Sequence, residues 1–262
     1  MKNFKNKRVY ALCSISIIMT LALTACAASQ NKTTSNSSSE PTSQQQNTSG
    51  NNNSTTNESN KEKNETNGTN EINVINMNNS NVPKIVKQQL EKGSKARFNT
   101  PWKSSPSGTY SACVEGKGPE AIEEGVGQIF VKNNSGDIFS FKIQDNEKIS
   151  PKFIQWADGE NLLVVIGSAH GTVSKGGNLY LLNVNSGKMF TVLEIPDKKQ
   201  EIMSVEKNND SLKLKVNVYD DNNYNKSHTE NWTVSSFNIN LNNKMQVKNS
   251  EGKVIFTINY SN

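Results

Sequence analysis

Gln128-Ile-Phe-Val-Lys-Asn133, a Ser135-Gly136-Asp137 turn and Ile138-Phe-Ser-Phe-Lys-Ile143 come back, shifted, as Asn178-Leu-Tyr-Leu-Leu-Asn183, Ser186-Gly187-Lys188 and Met189-Phe-Thr-Val-Leu-Glu-Ile195. The turn glycines lie 51 residues apart. Reading outward, each copy is preceded by an apolar run and a polar loop. Tyr110–Glu115 stands before the first, and Leu162-Leu-Val-Val-Ile166 before the second. A third, degenerate copy runs from Leu212-Lys-Leu-Lys-Val-Asn-Val218 to Ser236–Leu241 and Met245. Short β-branched and aromatic runs broken by Asn-Ser-Gly turns read as strands. A period near 50 residues with about four strands per unit is the signature of propeller-type repeats. The fold class is therefore all-β: three propeller-like blade repeats of about four antiparallel strands each.

Within that frame the strands differ. Leu162–Ile166 is apolar at every position, which predicts burial on both faces. Leu212, Leu214, Val216 and Val218 alternate with Lys213, Lys215 and Asn217, so the third repeat should have one wet face and end a stack. Three units are too few for a usual closed ring of four to eight. An open stack and a ring completed by a second chain both remain open, and the third repeat favours the stack. Upstream, Pro83 to Gly93 reads as one short N-terminal helix. Pro83 sits at a permitted first position, Gly93 at a stop, and Ile85, Val86 and Leu90 form a stripe. That helix and the last strand, Val254–Ile258, are expected to cover the ends.

The N-terminal third has a different character. Lys2, Lys5, Lys7 and Arg8 precede an apolar run from Val9 to Leu23, the order of a secretory signal. The run is short for a membrane span and is interrupted by Cys13, Ser14, Ser16 and Thr20. It ends on Leu23-Thr24-Ala25-Cys26, which resembles the bacterial lipobox. The resemblance implies cleavage after residue 25, lipidation at Cys26, and anchorage on the outer face of a cytoplasmic membrane by more than one acyl chain. From residue 27 to about 80 the chain is Ser, Thr, Asn, Gln, Lys and Glu. Such a composition cannot bury enough surface to fold. It predicts a disordered tether of roughly 40 Å root-mean-square span. The expected division is 1–25 signal, 26–80 lipidated N-terminus and tether, and 81–262 folded.

Charge and cysteine use exclude some classes. Without the four signal cations, 25 Lys and Arg face 24 Asp and Glu, so no basic face points to nucleic acid. Only Cys113 remains beyond Cys26. No intrachain disulfide is then possible in the folded part, and Cys113, set between Ala112 and Val114, reads as a buried core thiol.

Pro101-Trp102-Lys103-Ser-Ser-Pro106-Ser-Gly108-Thr-Tyr110 resembles the Trp-Ser-Pro-Asp-Gly-Lys motif of TolB-like propeller blades. Ser107 stands in place of the Asp, and an extra residue separates Trp102 from Pro106. Glu115-Gly-Lys-Gly-Pro-Glu120 with Gly125-Val-Gly127, and Gly171-Thr-Val-Ser-Lys-Gly-Gly-Asn178, resemble the hallmark segments of an uncharacterised lipoprotein family of Gram-positive bacteria, domain of unknown function 4652. That resemblance supports the lipoprotein reading and implies no activity.

Candidate site residues follow from the repeat. Three polar loops occupy equivalent positions: 116–127, 168–177 and 219–231. They hold Lys117, Glu120, Glu123 and Glu124, with Glu115 at the base, then His170 and Lys175, then Asp220, Asp221 and His228. Equivalent connections should leave one side of a stack, so these groups should share a face. The loops are longer and more charged than the other turns, which suits a functional surface. Carboxylate oxygens suit Ca²⁺, although the spacing matches no EF-hand. Two lone histidines make no zinc motif. Ser174-Lys175 lacks the spacing of a Ser/Lys hydrolase, and Gly176-Gly177 is expected to let the backbone turn. The expected function is a non-enzymatic envelope module that binds a protein, a cell-wall component or a small polar ligand without a cofactor. The alternative is an extracellular hydrolase using the loop carboxylates and His170.

Overall fold

The first two strands go to different sheets. A computed structural model describes residues 73–171 and 173–260. It opens with β1 (Asn73–Met77) and β2 (Ile85–Gln89). The next four, β3 (Lys103–Ser104), β4 (Tyr110–Glu115), β5 (Gln128–Asn133) and β6 (Ile138–Ile143), form an antiparallel meander in chain order. β2 adds to its β6 edge. The second sheet is β7 (Ile149–Trp156), β8 (Asn161–Ser168), β9 (Asn178–Asn183) and β10 (Met189–Leu193). The third is β11 (Gln200–Asn208), β12 (Ser211–Tyr219), β13 (Ser227–Ser235), β14 (Met245–Lys248) and β15 (Val254–Tyr260). β1 completes it, parallel to β15. The repeat read from the sequence is thus three successive sheets of antiparallel strands, with β1 the one parallel addition.

The middle sheet explains the stack. Leu162, Val164 and Ile166 of β8 pack with Ala112, Val114, Ile129, Val131 and Phe141 of the first sheet. Leu163 and Val165, one step out of phase, pack with Ile202, Leu212, Leu214 and Val216 of the third. Alternate residues of a strand face opposite sides, so an apolar run of five serves two cores. Each such side chain contributes about 1.5–3 kcal/mol when fully buried. The third sheet has its wet face in part: Lys213 and Lys215 are exposed between buried Leu212, Leu214 and Val216, but Asn217, expected beside them, is buried. Gly136 and Gly187 take φ of 82° and 73° in the repeated turns, where L side chains are strained.

Two expectations change. The stretch 83–93 is not a helix: Ile85 to Gln89 lie in register with Ile143 to Phe139 of β6. The β6 edge offered unpaired backbone groups, and satisfying them outweighed a weak helical stripe. No helix occurs among the described residues. A coil supplies the outer cover instead, as Leu90, Ala96 and Trp102 pack on Cys113, Phe130 and Ile138. Cys113 is fully buried there. The fold also begins earlier than residue 81, because β1 lies inside the stretch assigned to the tether. Cys26, the signal and the tether up to residue 72 lie outside the described residues.

Candidate functional site

The three long loops join β4 to β5, β8 to β9 and β12 to β13, the same connection in each sheet. They touch in sequence. Gly125 N–H donates to Ala169 O at 2.8 Å, and Gly171 N–H to Glu124 Oε1 at 3.1 Å. Tyr219 Oη lies 2.6 Å from Val173 O, and Lys175 Nζ lies 3.4 Å from Ser227 Oγ. The loops therefore share one face. Their tips carry exposed Ile122, Val173 and Tyr224.

The individual candidates differ in what they can offer. Glu115 accepts from Gln128 Nε2 at 3.1 Å. Glu120 and Glu123 are exposed, and Glu120 borders a small cavity with Lys103, Lys152 and Phe153. Glu124 is held by Gly171. Lys117 faces inward: its side chain is fully buried and Nζ donates to Gly125 O at 2.9 Å. Burial pushes its pKa down, with Lys152 adding to the effect and Glu123 and Glu124 opposing it. It organises its own loop and offers nothing to a ligand. His170 Nε2 lies 3.0 Å from Glu147 O. Asp221 Oδ1 accepts the N–H groups of Asn223 and Asn225, both at 3.0 Å, shaping its turn. His228 sits between Asp220 at 2.6 Å and Glu230 at 3.3 Å. Hydrogen bonds to Asp220 and then Glu230 raise its pKa. Among the described residues no three His, Cys, Asp or Glu groups are placed to hold a metal ion.

Glu201 escaped the sequence reading. It is the second residue of β11 and gathers the second loop. Oε1 accepts Ser174 Oγ at 2.8 Å, and Oε2 accepts Lys175 N–H at 2.9 Å and Gly176 N–H at 3.2 Å. Tyr219 Oη lies 3.0 Å from the same oxygen. Burial and Glu201 together push the Tyr219 phenol upward. Ser174 is thus bonded to a carboxylate that also holds two loop N–H groups, and not to a histidine. Gly176 and Gly177 have a different role from the one expected. Neither has positive φ. A Cβ on Gly167 would fall on the Gly176 carbonyl, one on Gly177 on Ile166 O, and one on Gly176 on Ile202 O. They are glycines because three backbones cross there, and Gly177 bridges to Ile202.

Beside that crossing lies a cleft of about 660 Å³. Its wall comes from the ends of the middle strands (Lys148, Ile149, Ser168, Asn178), from β1 and its exit (Asn76), and from the β10–β11 connection (Glu194). Ile75, Ile166, Ile195 and Pro196 add apolar surface. The volume falls within the range of small-molecule sites. Of the expected face, only the roots of the second loop line it. The remaining walls were hidden because β1 joins from the opposite end of the chain. The connection Glu194-Ile-Pro-Asp-Lys-Lys-Gln-Glu201 was the available signal, as a dense charged run between two repeats.

A family model described as a domain of unknown function (DUF4652) matches residues 31–236. A crystal structure from Clostridium novyi NT, described as "a putative conserved lipoprotein", is 40% identical, with a TM-score of 0.57. The match covers 58% of this chain and 96% of that one. A puromycin-hydrolyzing peptidase of Mycobacterium tuberculosis is 16% identical, with a TM-score of 0.36, over 62% of this chain and 29% of its own. That overlap carries no argument about activity. No curated protein matches the chain.

Proposed function

The chain belongs to the DUF4652 family, and we propose that it is a lipid-anchored extracytoplasmic binding module whose cleft takes a small polar ligand without transforming it. The cleft carries this reading. Asn76, Lys148, Glu194 and Gln200 line it, and none of these side chains bonds to another described residue. Free polar groups converging on a partly apolar hollow are what a ligand site needs. The rival hydrolase is less well supported, because the His170 it relies on meets a backbone carbonyl, and the carboxylate that does meet Ser174 is already engaged by two loop N–H groups. A catalytic base must reach the proton it removes.

A thermal-shift screen of the full-length chain with polar compounds tests the binding reading, with Asn76→Trp as the filled-cleft control. A ligand that raises the midpoint of the natural chain and not of the variant supports it. Equal shifts in both place the ligand elsewhere.

Anchorage at Cys26 rests on the lipobox and on the lipoprotein relative. Cys26→Ala should move the chain from the detergent phase to the aqueous phase on partitioning. Unchanged partitioning contradicts the anchor. In this reading the sheets are propeller-type blades in an open stack, held near the membrane by the tether.

A further inference from the structure

The middle sheet ends at the cleft, and its register sets the order of groups there. β7 is one edge of this sheet and β10 the other. Lys148 immediately precedes β7, and Glu194 immediately follows β10. Between them come Ser168 at the end of β8 and Asn178 at the start of β9. Three strand spacings of about 4.8 Å set the backbones of the two residues roughly 14 Å apart across the sheet. A cation thus stands at one end of the cleft and an anion at the other. Amides and apolar side chains fill the interval, with Asn76 and Gln200 uncommitted.

We propose that the cleft binds a short zwitterionic peptide, its carboxylate at Lys148 and its ammonium at Glu194. Extended chain advances about 3.3–3.6 Å per residue, so about four residues fill the gap. Asn76 and Gln200 offer the donors and acceptors that peptide groups require, while Asn178 Oδ1 already accepts the Ile195 N–H at 3.3 Å. Ile75, Ile149, Ile166 and Ile195 supply the surface that peptide side chains cover. Asp197 and Lys198, adjacent on the connection, oppose one another, and with Glu201 the lining carries three carboxylates against two ammonium groups, an excess that disfavours anions. Other ligand classes fit less well. A polyanion such as a nucleotide meets Glu194, Asp197 and Glu201. A neutral sugar offers neither terminal charge an ionic partner.

The proposal rests on the binding reading and is tested separately from it. The full-length chain is dialysed against an equimolar tetrapeptide library with free termini, and against the same library N-acetylated or C-amidated. Retained peptides are counted by mass spectrometry. The free library should be retained about tenfold over either capped one. Lys148→Ala should abolish only the preference over the amidated library, and Glu194→Gln only the preference over the acetylated one. Both sites are exposed, so neither exchange disturbs the core. Equal retention of free and capped libraries overturns the proposal, as does retention of no peptide. Retention of a non-peptide polar compound alone, lost in Asn76→Trp, overturns the peptide and leaves the binding module standing.

Discussion

Tyr219 lies with its hydroxyl 2.6 Å from the carbonyl oxygen of Val173, joining the root of the third loop to the tip of the second. The phenol is buried, and Glu201 is its second neighbour at 3.0 Å. The single phenol proton can serve one acceptor, and the shorter contact gives it to Val173 O; Tyr219→Phe removes that donor, while Glu201 keeps the Lys175 and Gly176 N–H groups. The exchange should cost about 1–3 kcal/mol. Urea denaturation measures the cost. Hydrogen exchange should show faster amides at 173–176 with strands β8 and β12 unchanged. Uniform acceleration would mean that the bond holds the whole stack and not one loop.

Gly167, Gly176 and Gly177 form the backbone crossing between the second and third sheets. Each single exchange to Ala sets a methyl group against a carbonyl with no flexible side chain to yield. The expected loss is about 1–3 kcal/mol or more, as for other overpacked sites. Gly171→Ala, where nothing lies within 4 Å of the added carbon, is the comparison: its cost comes from positive φ alone and should be smaller. Equal midpoints for Gly167→Ala and the natural chain would contradict the crossing.

His228 gives the third sheet a pH dependence. Its pKa in the folded chain lies above the unfolded value of about 6.5. The folded state therefore binds the proton more tightly. This stabilisation is complete below about pH 6.5 and is lost as pH rises through the folded value. Thermal midpoints of the natural chain and of His228→Gln should differ most below about pH 6.5 and converge as pH rises through the raised folded value. Parallel curves would remove Asp220 and Glu230 as its partners.

Cys113 should be inert while the chain is folded. It is fully buried, and burial first, then Glu115, push its thiol up to about 12. The thiolate is the reactive form. Peptide mapping after iodoacetamide treatment should find Cys113 unlabelled in buffer and labelled in denaturant. Labelling in buffer would place the thiol at the surface.

Much of this fold was legible because it repeats. β8 declared its two buried faces through five apolar residues in a row, and β12 its wet face through Lys213 and Lys215. The loops could be placed on one side from their position alone. Two strands were not legible, for different reasons. Ile85, Val86 and Leu90 have helical spacing, and only the distant β6 edge makes that segment a strand. Val74, Ile75 and Met77 are three apolar residues in a polar run, and their partner β15 lies at the other end of the chain. The cleft was illegible for the same reason, since β1 forms one wall. Lys117 looked like a surface charge because sequence cannot tell a loop that folds over its own lysine from one that displays it.

The central claim is that the cleft beside Gly177 holds a ligand and does not change it. The direct measurement is mass spectrometry of the compounds that co-purify with the full-length chain from its own membranes, before and after prolonged incubation. The account predicts one polar compound, recovered chemically intact and absent from Asn76→Trp. A compound converted during incubation, or retained equally by Asn76→Trp, would contradict it.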